Sequence, residues 1–226
     1  MKNHNGIIFG STGVLGTILS SELANLDFNL ILHGRSIDKL KKLSDKISKK
    51  KKPSLFQGDV TQKEFYENLF RTISKKYNKI DFIINLIGQF DGLKPLTHLS
   101  HGEWDKFIEI NISSYWRILK ELEPLSRKSE NPKFITITNS SIASGKAYHN
   151  IFSVCLSARN SMLKTLKEEN KNLNFKIFSI EMKQINTGMS SLLSGKKKID
   201  EKELQDISKD IIETCFKKID FIKKDH

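Results

Sequence analysis

The chain has 226 residues, 38% hydrophobic and 28% charged, proportions that suit one compact domain with a sizeable core and exclude a wholly disordered chain. Basic residues number 38 against 26 acidic ones, a net charge of +12, and only five of the basic residues are arginine. Such a balance fits an anionic partner, yet lysine is a solvated point charge and bidentate readout of bases leans on arginine, which ranks nucleic acid last among the partners.

Residues 1–5 are polar and lead straight into Ile7-Ile8-Phe9, so no signal peptide is expected and the first candidate strand spans residues 6–10. Helical periodicity follows over 13–26, a strand over 29–34, a helix over 37–50, a strand over 54–59 and a helix over 62–77. The second half continues with a strand over 81–88, a helix over 102–122 behind a Ser100/Glu103 capping box, and a strand over 133–140. A helix over 151–169, a strand over 175–182 and a helix over 200–218 complete the series, the last with Leu204, Ile207, Ile211, Ile212 and Cys215 at helical spacing. The strands are unbroken Ile, Leu, Phe and Val runs, the pattern of strands buried on both faces.

Regular strand–helix alternation predicts a doubly wound α/β Rossmann-like fold, about six parallel strands with helices on both faces, in one domain over residues 1–226. The lysine run 49–52 ahead of Pro53 reads as a helix exit and turn. The longest apolar run, 82–88, suits one buried strand and falls far short of a bilayer, so no membrane span and a cytoplasmic location are expected. Cys155 and Cys215 stand far apart without metal-ligand spacing, which predicts neither a disulfide framework nor a metal site.

The first strand runs into Gly10-Ser11-Thr12-Gly13-Val14-Leu15-Gly16 and then a helix. Glycines there allow a tight turn, close approach of a pyrophosphate and close helix–strand packing, with the free N–H groups of the helix start facing the phosphates. The plain alternative is a tight strand–helix turn, but its place between the first strand and first helix of an alternating chain favours the phosphate loop. The second strand ends His33-Gly34-Arg35-Ser36, without the acidic residue that would bind the adenosine ribose hydroxyls of NAD. Arg35 could pair with a ribose 2′-phosphate, with Ser36 as a hydrogen-bonding neighbour, so NADP is preferred over NAD; the alternative is a surface arginine at a helix start.

With these motifs the chain resembles the short-chain dehydrogenase/reductase family over nearly its whole length. Asp59-Val60 resembles that family's adenine-contacting pair, and Asn85-Leu86-Ile87-Gly88 stands where it has Asn-Asn-Ala-Gly. Trp104 and Asn111 match its fourth helix, including the active-site asparagine, and Ser141 falls at the catalytic serine position. Thr187 matches a cofactor-contacting threonine. The resemblance implies binding of a nicotinamide dinucleotide and hydride transfer between it and a carbonyl or alcohol.

That chemistry rests on Tyr-x-x-x-Lys: the tyrosine moves the proton, while the lysine lowers the tyrosine pKa and holds the nicotinamide ribose. Aligned on the family pattern Tyr-x-Ala-Ser-Lys-x-Ala-Leu-x-x-Met-x-Lys, residues 152–164 put Phe152 at the tyrosine and Leu156 at the lysine. Neither can carry the role, and losing positioned acid–base catalysis costs on the order of 10²–10⁴-fold in rate. Tyr148 and His149, in the loop before this helix, could offer a proton from another direction but read more simply as loop residues covering the site. Met182-Lys183 replaces the usual Pro-Gly, residues 189–198 fall where a substrate lid is usual, and a seventh strand is absent or very short.

Three readings follow: an NADP(H)-binding oxidoreductase homologue with an altered proton path, a catalytically silent pseudoenzyme that senses cofactor or binds a partner, and, last, a nucleic-acid binder. The resemblance also leaves room for a homodimer paired through the helices over 102–122 and 151–169, and for an unidentified small-molecule substrate.

Overall fold

A computed structural model describes residues 4–26, 28–47, 51–181 and 201–213, residues 201 and 203 by their backbone only. Strand β1 (Asn5–Phe9) leads to α1 (Val14–Asn25), β2 (Asn29–Gly34), α2 (Ile37–Ile47), β3 (Ser54–Gln57), α3 (Lys63–Ser74) and β4 (Phe82–Asn85). Then come α4 (His101–Ile108), α5 (Ser114–Ser126), β5 (Lys133–Thr138), the single-turn α6 (Ser140–Ala143), α7 (Asn150–Glu169), β6 (Lys176–Glu181) and α8 (Glu201–Ile212). The strands form one sheet in the order β3-β2-β1-β4-β5-β6, every pairing parallel.

Strand alternation divides the core into two layers. Ile7, Phe9, Ile31, Ile83 and Phe134 face one layer with residues of α3, α5 and α7, while Ile8, Leu32, Ile84 and Ile135 face the other with residues of α1, α2 and α8. Runs that are apolar at every position are therefore needed, because both faces of each strand are covered. Strand order reverses between β1 and β4, and the chain leaves all strands at one edge, so that edge holds the crevice where doubly wound sheets bind ligands. Among the described residues no helix is long and apolar enough to cross a membrane.

The expected helix over 102–122 is instead α4 and α5 joined by a π-turn over Glu109–Ser113; the Ser100/Glu103 capping box opens α4 as expected. Three strands end earlier than their apolar runs. Asp59 Oδ1 accepts from the Thr61 N–H at 2.9 Å, and Asn85 Oδ1 from the Ile87 N–H at 3.1 Å. After β5, Asn139 Oδ1 accepts from the Ile142 N–H at 2.9 Å. Each is a side chain offering the backbone a turn in place of another ladder bond. Thr187, Met182-Lys183, the segment 189–198, Cys215 and the residues where a seventh strand would fall lie outside the described residues.

Candidate functional site

The glycine turn closes on itself tightly. Gly10 adopts φ +74°, in the left-handed region, and a Cβ there would stand 3.3 Å from the Leu86 carbonyl. A Cβ at Gly16 would lie 2.3 Å from Gly10 O and 2.8 Å from Ser11 Cα, a clash with backbone that has nowhere to go. Ser11 turns inward, its N–H and Oγ both donating to His33 O at 3.0 and 2.9 Å. Leu15 points into the core, so of the loop residues it offers a ligand only its backbone. Gly13 and Val14 are exposed, and α1 starts with no side-chain cap and no acidic residue in its first turn. First-turn N–H groups without intrahelical partners, at the positive end of the helix dipole, suit a diphosphate.

Beside this turn, His33 ends up under the tips of β2 and β3. Its Nε2–H donates to Gly58 O at 3.1 Å, and the ring packs on Phe9 and Phe65, both at 5.0 Å. Burial, opposed by the Gly58 hydrogen bond, pushes its pKa down to about 4, so the imidazole is neutral at pH 7. Arg35 follows, exposed; Gln57 Nε2 holds its carbonyl at 3.1 Å. Ser36 Oγ accepts from the Lys39 N–H at 3.3 Å and so caps α2. Thr12 packs against Gly34, whose Cβ would lie 3.1 Å from Thr12 Oγ1. Val60 is buried, and Tyr66 donates to its carbonyl at 2.6 Å.

The chain beyond β4 is fastened from below. Asn85 is buried, with its Nδ2 unpartnered, and Thr136 Oγ1 donates to its carbonyl at 3.0 Å. Tyr115 donates to Ile87 O at 2.6 Å. Asn111, inside the π-turn, clamps Gln89 at two points: its Oδ1 accepts from the Gln89 N–H at 2.9 Å and its Nδ2 donates to Gln89 O at 3.1 Å. The extra residue of the π-turn is what aims Asn111 inward, and such turns are frequent at functional sites. Gly88 lies next to this clamp.

At the tips of β5 and β6, the Ser140 N–H and Oγ both donate to the Glu181 carboxylate, at 2.8 and 2.6 Å. Ser141, the next residue, is exposed. The loop before α7 is pinned in place by Asn150 Nδ2 donating to Gly92 O at 2.9 Å and the Lys94 N–H donating to Tyr148 O at 3.0 Å. Tyr148 and Asn150 adopt φ +63° and +42°, a strained conformation for residues with side chains. Tyr148 is 64% exposed, whereas His149 is buried, its Nδ1–H on Ala147 O and its Nε2 unpartnered.

Phe152 and Leu156 are buried with Phe90 and Ile142 in a small apolar cluster, the Phe90 and Phe152 rings 5.2 Å apart. The buried His149 ring stacks on Phe90 at 6.0 Å, at the edge of that cluster. One turn further along the same face, Arg159 is also buried. Cys155 faces the other way, towards Phe107; burial pushes its pKa up to about 12, which removes it as a nucleophile.

The model of a family described as enoyl-(acyl carrier protein) reductase matches residues 13–210. The chain belongs to the short-chain dehydrogenase/reductase family. An uncharacterized oxidoreductase of Listeria monocytogenes is 27% identical over 203 residues, spanning 87% of this chain and 80% of the relative. One of Staphylococcus epidermidis is 20% identical over 190 residues, 84% of this chain and 81% of that one. Among solved structures, a short-chain dehydrogenase of Shigella flexneri complexed with NADP has a TM-score of 0.84 at 19% identity, covering 94% of this chain and 89% of its own. One of Escherichia coli complexed with NADPH also has a TM-score of 0.84 at 19% identity, with 95% and 89% covered.

In this short-chain dehydrogenase/reductase the residues expected from sequence to form a site do gather at one edge of the sheet: Gly10–Gly16, Arg35 and Ser36, Asp59 and Val60, Asn85 and Gly88, Asn111 and Ser141 all follow strand ends or abut them. Several already have internal partners: Ser11, Ser36, Asp59 and Val60 each hold backbone or side chain in place. Sequence reasoning missed Gln89, Glu181 and Arg159. Only Arg159 carried a signal, as a cation at an apolar position of an otherwise buried helical face.

Proposed function

We propose that this chain binds NADP(H) at the carboxyl edge of its sheet and acts on a carbonyl/alcohol pair with a proton path that uses no tyrosine. The observation that carries cofactor binding is the glycine cradle: backbone packed too closely for a Cβ at Gly16, next to an uncapped, exposed helix start. A dinucleotide pyrophosphate has the negative charge that those N–H groups favour.

NADP(H), when bound, supplies or accepts a hydride at its nicotinamide ring. The chain's own residues do the rest. The loop and the first turn of α1 hold the diphosphate. Arg35, exposed and with no carboxylate paired to it among the described residues, pairs with the 2′-phosphate, while Asp59 and Val60 border the adenine. Asn111 fixes the Gln89 backbone, and Ser141 offers its hydroxyl to the substrate oxygen. Phe152 holds no proton to give, so the oxygen's proton comes from water, and turnover is on the order of 10²–10⁴-fold slower than with a positioned acid.

Titration with NADPH and NADH, followed by nucleotide fluorescence, tests the binding: NADPH is expected to bind tighter, and Arg35→Ala to lose about tenfold of that preference. No binding of either nucleotide would overturn the proposal. The apolar packing of Phe152 and Leu156 favours a second reading, a silent cofactor-binding protein. NADPH oxidation over a carbonyl panel separates the two: slow turnover that rises in Phe152→Tyr/Leu156→Lys supports the enzyme, and no turnover by wild type supports the silent protein. For the homodimer, Trp104 and Trp116 on α4 and α5 and Val154 on α7 are exposed apolar groups on the helices that would pair; light scattering at a dimer mass supports it and a monomer mass removes it.

A further inference from the structure

Phe152, Leu156 and Arg159 stand at i, i+4 and i+7 and share one face of α7. Arg159 is only 5% exposed. One of its terminal nitrogens donates to Ile137 O, its guanidinium lies 4.5 Å from the centre of the Tyr115 ring, and its Nε has no partner. Among the described residues no carboxylate pairs with it. A guanidinium stays charged across the whole range of folding pH, and a buried charge matched only by a carbonyl and a ring is costly to keep.

Its location gives that cost a use. The last rung between β4 and β5 joins Asn85 to Thr136, so Ile137 lies one residue beyond, where β4 has already turned off into Leu86-Ile87-Gly88. Helical side chains lean towards the N-terminus of their helix, and α7 begins at the crevice edge, where Asn150 is tied to Gly92. Arg159 therefore leans up towards the crevice. The tyrosine under its guanidinium holds Ile87 O, and Asn85, whose carbonyl is 3.4 Å from the same tyrosine hydroxyl, has a buried Nδ2 that is also unpartnered. Two buried donors without acceptors, Arg159 Nε and Asn85 Nδ2, thus belong to residues that touch Tyr115, one through its guanidinium and one through its carbonyl.

The family pattern has lysine where this chain has Leu156 and leucine where it has Arg159; cation and apolar residue have changed places on one helical face. We propose that Arg159 is a positioning residue for the nicotinamide-ribose end of NADP(H), supplying from one turn deeper the positive charge and donors that Leu156 cannot. The inference rests on the cofactor reading above, and it concerns only the nicotinamide half of the site.

Binding of two probes to the intact protein tests it: NADPH, which has both halves, and adenosine 2′,5′-bisphosphate, which lacks the nicotinamide ribose. Arg159→Leu is expected to weaken NADPH about tenfold and leave the bisphosphate unchanged. Arg159→Lys should keep most of the NADPH affinity, and the exchange Leu156→Lys/Arg159→Leu should restore it. If Arg159→Leu does not fold, Arg159→Met, whose flexible side chain fills irregular gaps, takes its place with the same expectation. Unchanged NADPH affinity, or equal loss for both probes, would overturn the role of Arg159. Failure of both probes to bind wild type would instead overturn the cofactor reading itself.

Discussion

His33 links the stability of the fold to the shape of the phosphate turn, and pH is the lever. Its carbonyl receives both hydrogen bonds from Ser11, while its ring sits among Phe9, Phe56 and Phe65. The folded-state pKa is about 4, against 6.5 for an exposed histidine. With the folded value depressed, the unfolded chain binds the proton first, so stability is complete above about pH 6.5 and falls as pH drops towards 4. At 1.36 kcal/mol per pKa unit, the loss is about 2 kcal/mol from about pH 7 to about pH 5, approaching 3 kcal/mol near pH 4. The two shifted carboxylates act lower, and burial moves Cys155 the other way, above the window. Burial alone would raise Asp81, but hydrogen bonds from Lys79, Ser129 and the Asn5 N–H outweigh it and hold it below 3.8. Lys94 and Ser100 hold Glu103 down to about 2. Both carboxylates lose their contribution only as pH falls below their ordinary values, so the window above about pH 5 belongs to His33. Urea unfolding at a series of pH values should show this slope in wild type and lose it in His33→Phe, which keeps a ring among the phenylalanines while giving up the Gly58 bond. Equal slopes in the two proteins between about pH 7 and pH 5 would refute the assignment.

Gly16→Ala forces a methyl against Gly10 O and the Ser11 backbone, so it should cost about 1–3 kcal/mol and abolish the rise in Tm that the proposed NADPH binding is expected to give the wild type; a variant with unchanged melting and binding would show that the turn accommodates a methyl. Asn111→Ala strands the N–H and carbonyl of Gln89 and should lower stability by about 2 kcal/mol in urea unfolding, with an unchanged midpoint counting against the clamp.

The order of elements was legible because each run has one period: apolar at every position in strands covered on both faces, and spaced by three and four in helices. The glycine turn was legible because only its place, between the first strand and first helix, had to be right. The π-turn was not, since a helical period carried through residues 102–122 absorbs one extra residue without a visible break. Strand ends were overshot for a related reason: Asp59, Asn85 and Asn139 stop their strands with side-chain bonds to N–H groups two or three residues ahead, which apolar runs do not record.

Partnerships across the fold were the least legible. Ser140 and Glu181 meet because β5 and β6 pair in register through Thr138 and Glu181, and that register is set by the packing of two helices and a sheet. Ser36 and Asp59 illustrate the opposite case: the sequence marks both as candidate cofactor contacts, and both support a local turn or helix start. A hydroxyl that accepts from an N–H can still donate, and a carboxylate bonded through one oxygen keeps the other free, so these structural bonds leave room for the proposed cofactor contacts. Arg159 has no such local duty. Its partners, Ile137 and Tyr115, are 22 and 44 positions away, and its face of α7 is otherwise apolar at Phe152 and Leu156. A fold that filled that face for packing alone would have a leucine there, as the family pattern does; retaining a guanidinium with an open Nε makes sense when something rich in acceptors arrives from above.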